Sequence, residues 1–121
     1  MTEATAATRP VLPAAMRDLL DRLVTVIRQH VDARLIVLFG SWAEGHARPD
    51  SDLDVLVVAP MTQRLKLAIQ IKRDLRPLLG GRHLDLFLVP TEEWDRVRAV
   101  RGMLEWEADN YGVRLYEEAP A

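Results

Sequence analysis

The chain has 121 residues, enough for one domain around one core. Its hydrophobic content is 49%, its formal net charge −2 and its pI about 5.9, so no global basic field marks it for nucleic acid. It has no cysteine, which excludes a disulfide framework and a thiolate metal site, and it has no apolar run long enough to span a membrane.

Residues 1–9 are rich in Ala and Thr without a period and are expected to be disordered. They carry no signal-peptide core. Residues 10–118 are expected to form the single domain. Pro10 and Pro13 introduce a helix over 13–30. Its apolar face is Leu12, Met16, Leu19, Leu20, Leu23, Ile27 and Val31. His30 near its end fits a helix C-terminus better than a metal site.

The most informative stretch is 35–58. Short apolar runs, 34–39 and 53–59, read as buried strands. Between them lies a turn-rich loop that begins at Gly40-Ser41. The second strand opens on Asp52 and Asp54, which point the same way because strand side chains alternate. Their Cα atoms are expected roughly 6.5 Å apart. Like charges at the threshold of a buried strand push one acid toward protonation, and a divalent cation such as Mg²⁺ relieves that. Gly40 and Ser41 supply backbone amides and a hydroxyl suited to a phosphate. A phosphate cradle beside paired carboxylates suits a nucleoside triphosphate. Trp42 either stacks on a base or packs the loop on the core. His46 and Arg48 read as exposed loop residues, and Arg48 can also neutralise a triphosphate oxygen.

Pro60 ends the second strand. A helix is expected from Thr62, with Leu65, Ala68, Ile69, Ile71, Leu75 and Leu79 as its apolar stripe, limited by Pro77 and stopped by Gly80-Gly81. It carries Arg64, Lys66, Lys72, Arg73, Arg76 and Arg82 against Asp74. That is either a solvated face or a docking surface for an acidic partner. A third strand, 83–89, puts Asp85 among apolar side chains, a costly place without a partner. Thr91 is expected to cap one helix running to about Asp109 through Trp94, Val97, Val100, Leu104 and Ala108. A short fourth strand follows over 113–116. Trp94 and Trp106 read as core or interface anchors. Tyr111 and Tyr116 read as structural, with self-modification the alternative.

Gly40-Ser41, ten residues, then Asp52-Leu53-Asp54 resembles the signature of the polymerase-beta-like nucleotidyltransferase superfamily, and its minimal branch best. The likeness extends to Phe39, Gly45 and Arg48-Pro49-Asp50-Ser51. It implies an α/β (α+β) fold, a mixed and roughly four-stranded sheet with helices packed on it. It implies two Mg²⁺ ions held by Asp52, Asp54 and Asp85, with Asp85 as the third acid and as the base. It implies ATP as substrate, with Gly40, Ser41 and Arg48 toward the nucleotide phosphates. The minimal branch implies an antitoxin role in a prokaryotic cytoplasm, in a homo- or hetero-oligomer. Its partner would be a helical HEPN toxin whose tyrosine accepts AMP. No membrane is implied, and nucleic acid is not expected as a direct ligand. Two other readings stay open: a nucleotidyltransferase acting on an aminoglycoside-like molecule, and a catalytically silent module that occludes a partner.

Overall fold

The computed structural model describes residues 11–119. The expectation for 1–9 lies outside the described residues. The first helix, α1 (Ala14–His30), buries Met16, Leu20, Leu23 and Ile27, the stripe its period predicts. His30 Nε2 lies 2.8 Å from Asp74 Oδ2, so this ring ties α1 to the next long helix. The chain continues as β1 (Leu35–Phe39), the single turn α2 (Ser41–Glu44), β2 (Leu53–Ala59) and α3 (Arg64–Leu75). A 3₁₀ turn, Arg76–Leu78, extends α3 at Pro77. Then come β3 (Leu84–Pro90), α4 (Thr91–Val97), α5 (Leu104–Tyr111) and β4 (Val113–Glu117).

The four strands form one mixed sheet in the order β3-β2-β1-β4. β1 is antiparallel to both neighbours, while β2 and β3 are parallel. The parallel pair requires a crossover, and α3 provides it. Alternation along each strand sends two sets of side chains into two cores. Ile36, Leu38, Leu53, Val55, Val57 and Leu84 meet Leu23, Ile27, Ile71 and Leu75 of α1 and α3. Leu35, Val37, Leu56, Val58 and Val89 meet Trp94 and Ala108 of α4 and α5. Both faces are thus covered in the middle of the sheet. No helix among the described residues is long and apolar enough to cross a membrane.

Three local expectations are corrected. The helix expected over 91–109 is two helices, broken where Gly102 takes φ +92°, a backbone that L side chains rarely adopt. Thr91 is not the N-cap: Pro90 occupies that position, and the Thr91 hydroxyl is buried without a hydrogen-bond partner. The second long helix starts at Arg64 rather than Thr62, and its expected stripe is only half buried. Ile71, Leu75 and Leu79 are inside, whereas Leu65 and Ile69 face solvent.

Glu105 is a buried carboxyl at the start of α5. Burial pushes its pKa up, and a hydrogen bond with Glu93 adds to this, while the Arg64 charge opposes it. Arg64 also lies 3.7 Å from Glu93 and donates to the Leu88 carbonyl at 3.3 Å. These contacts pin the start of α3 to the far end of β3.

Candidate active site

Strand register builds the site. Phe39 of β1 pairs with Asp54 of β2, and Asp54 pairs with Asp85 of β3. Paired residues in a sheet share a face, so these three form a row across the strand ends. They lie on the face covered by α4 and α5, where the Phe39 and Phe87 rings pack 5.6 Å apart. Leu53 bonds through its amide to the His83 carbonyl at 2.9 Å, which fixes β2 against the entry to β3. Asp52 sits just before β2 and is exposed; Asp54 and Asp85 are partly buried.

Asp54 is the electrostatic centre. Its pKa is pushed up to about 6, first by burial. A hydrogen bond with the Asp85 carboxyl and the charges of Asp85 and Asp52 push the same way; the His83 ring pulls back. The like-charge crowding expected from Asp52 and Asp54 is present, and Asp85 contributes more to it than Asp52.

Gly40 lies directly against this carboxylate. It has φ +76° and ψ −153°, and a Cβ built on it would collide with Asp54 Oδ2. The turn therefore packs backbone, with no side chain, onto the acid. Gly40 is also the N-cap of α2, and its carbonyl takes the amides of Ala43 and Glu44. The amides of Ser41 and Trp42 are left without intrahelical partners. Trp42 packs the loop on the core. It is buried, and its Nε1–H donates to the Ser51 carbonyl at 3.1 Å, which ties α2 to the loop before Asp52.

That loop is a closed turn. The Arg48 amide donates to Ser51 Oγ at 2.7 Å, and the Ser51 amide donates to the Arg48 carbonyl at 3.0 Å. The Arg48 side chain is exposed. Two residues that the sequence did not single out for this site support it. Arg82 Nε–H donates to the Pro49 carbonyl at 2.8 Å, and its Nη1 donates to the Leu79 carbonyl at 3.0 Å. It clamps the loop to the entry of β3. His83 Nε2 lies 2.9 Å from Asp85 Oδ1 and steadies that carboxylate. Their only signal in the sequence is position: two polar residues immediately before the strand that carries Asp85. Arg82→Ala is expected to cost about 1 kcal/mol, because the lost charge-assisted bonds are partly exposed. Calorimetry should record a melting temperature lower by about 4 °C, and Arg82→Lys should not restore it.

Among the described residues, no three His, Cys, Asp or Glu side chains gather closely enough to hold a cation unaided. This donor set still suits Mg²⁺, which takes one or two carboxylates and completes its shell with water and substrate phosphate. A half-buried acid crowded by two others is the kind of group a cation would relieve.

A mixed sheet with acids at the ends of two parallel strands, facing a Gly-Ser turn, is a nucleotidyltransferase core. The family model described as Polymerase beta, Nucleotidyltransferase matches residues 21–117, and the chain belongs to that family. Among solved structures, a toxin–antitoxin with AMP-PNP is similar, with TM-score 0.54 and 23% identity, over 82% of this chain and 73% of the other. A complex of tri-AMPylated Shewanella oneidensis HEPN toxin with MNT antitoxin is similar, with TM-score 0.50 and 21% identity, over 83% and 71%. The toxin–antitoxin MntA–HepT gives the same values. At these identities the likeness establishes the shared fold. No curated protein matches the chain.

Proposed function

We propose that this chain is an Mg²⁺-dependent antitoxin that transfers AMP from ATP to a tyrosine hydroxyl of a HEPN-type toxin. The observation that carries the reading is the row of Asp54 and Asp85 with the side-chain-free Gly40 turn against it. The solved neighbours add support, since one holds AMP-PNP and another a tri-AMPylated toxin. Residues 10–118 would form the catalytic domain, working in a prokaryotic cytoplasm.

Asp52, Asp54 and Asp85 would hold two Mg²⁺ ions. Bound there, the ions would neutralise the triphosphate and stabilise the attacking and leaving oxygens. Gly40 and Ser41 would bind the β- and γ-phosphates through amides and hydroxyl. Arg48, exposed on its closed turn, would neutralise a further phosphate oxygen. Asp85 would orient the acceptor and take the tyrosine proton as the phenolic oxygen bonds to the α-phosphorus. The bond from that phosphorus to the bridging oxygen breaks, and pyrophosphate leaves. Arg82 and His83 would keep the loop and Asp85 in register.

The test is transfer of label from α-labelled ATP with Mg²⁺ to a HEPN-type toxin incubated with this chain. Label on a toxin tyrosine, dependent on Mg²⁺, is the expected result. Unlabelled toxin that is nonetheless neutralised would mean occlusion without transfer. Pyrophosphate release driven by an aminoglycoside, by the chain alone, would move the acceptor to a small molecule.

A further inference from the structure

Helix α3 presents a surface that the catalytic reading leaves unused. Leu65 is 76% exposed and Ile69 60% exposed. Arg64, Leu65 and Ala68 line a groove of about 330 Å³ with Leu86 and Leu88 of β3. β3 is an outer strand, so nothing in the sheet covers this side of it. At about 100° per residue, Leu65, Ile69, Lys72, Arg73 and Arg76 fall on one face of the helix. The first half of that face is apolar and the second half basic.

A solvated helix end accounts for the cations, because Lys72 and Arg73 lie in the last turn. It does not account for two large aliphatic side chains set one turn apart in solvent. Nor is the charge spent locally. Asp74, the acid within α3, bonds His30 at 2.8 Å, while its separation from Arg73 is 3.8 Å.

We propose that this face docks an amphipathic helix of a partner protein, one that carries two aliphatic residues a turn apart and carboxylates beyond them. The aliphatic pair would enter the groove beside Leu65 and Ile69, as helix-in-groove anchors do. The carboxylates would meet Lys72, Arg73 and Arg76. A second copy of this chain is a poorer occupant. Two-fold packing of α3 on itself would set its cations against the other copy's aliphatic pair when antiparallel and against the other copy's cations when parallel, and neither arrangement supplies carboxylates. Because Asp85 lies at the start of β3 and α3 ends beside that strand's entry, the acidic end of the bound helix would lie toward the active-site end. The binding does not depend on nucleotide transfer and is read without ATP.

The probe is a labelled peptide of about eighteen residues, long enough for helix formation, with paired leucines and glutamates in this order. A second peptide has lysines in place of the glutamates. Anisotropy should give the glutamate peptide about tenfold higher affinity, weakening with salt. The double variant Leu65→Ser/Ile69→Ser should lose about tenfold in affinity with unchanged circular dichroism, since both positions are exposed. Lys72→Glu/Arg73→Glu should reverse the preference between the peptides. Equal affinity for both peptides, or binding unaffected by the serine pair, overturns the proposal. So does self-association of the chain that the serine pair abolishes, which would make the occupant a second copy.

Discussion

Asp54→Asn is expected to abolish AMP transfer, lowering the rate by on the order of a thousandfold. The amide keeps the shape of the carboxylate and one of its acceptor oxygens, so the fold has no reason to change. It loses the charge that would hold Mg²⁺ between Asp52 and Asp85. The same variant should be more stable than the parent at neutral pH without divalent cation. Asp54 has its folded pKa pushed up to about 6, so the folded protein holds this proton more tightly than the unfolded chain. Stability from this group is fully present below the ordinary aspartate range and is lost as pH rises through about 6. At pH 7 the parent bears that loss and Asp54→Asn does not. Mg²⁺ should then raise the parent's melting temperature and leave the variant unmoved. Equal responses of the two proteins to Mg²⁺, read by calorimetry across pH 4 to 7, would remove Asp54 from the ligand set.

Gly40→Ala should be nearly as damaging, by a different route. The backbone there, φ +76° and ψ −153°, belongs to a region open essentially to glycine alone. Forcing alanine into it costs about 1–3 kcal/mol. The added methyl also collides with the Asp54 carboxylate, so the acid or the turn has to move. We expect a lower melting temperature together with a hundredfold or so loss of transfer, because misplacement by about 1 Å is costly at a reacting centre. Gly102→Ala supplies the comparison. Its φ is +92°, yet nothing lies within 4 Å of a Cβ built there. It should lose stability through backbone strain and retain transfer. If Gly40→Ala kept transfer at the level of Gly102→Ala, close approach of the turn to Asp54 would be irrelevant to the chemistry.

Much of the sheet could be read directly from the chain. The apolar run after Asp52 lies between a turn and a proline, and β2 spans Leu53–Ala59 as expected. The common face of Asp52 and Asp54 follows from alternation alone. The meeting of Asp85 with Asp54 does not, because it depends on the parallel register of β2 and β3. The resemblance supplied it. Helical period was less informative about burial and breaks. Trp94, Val97, Val100, Leu104 and Ala108 keep a helical spacing straight through the break at Gly102, since both helices lie on the same sheet face. Leu65 and Ile69 fit an apolar stripe, but a stripe does not reveal how far the neighbouring strand reaches over it. Arg82 reads from the sequence as one more surface cation, because its partner at the site is the carbonyl of Pro49, a loop contact that no periodicity encodes.

The order in which the site comes together follows from the crossover between β2 and β3. Asp54 belongs to the antiparallel β1–β2 pair, and Gly40 and Asp52 flank it, so their assembly needs only a short loop to close. Asp85 arrives after the whole of α3 has folded back and β3 has found its place on the outside of β2. Contacts that close such long loops form slowly. During synthesis Asp52 and Asp54 can therefore be arranged while Asp85 is still absent, and the candidate site is complete only once the last long-range pairing is made.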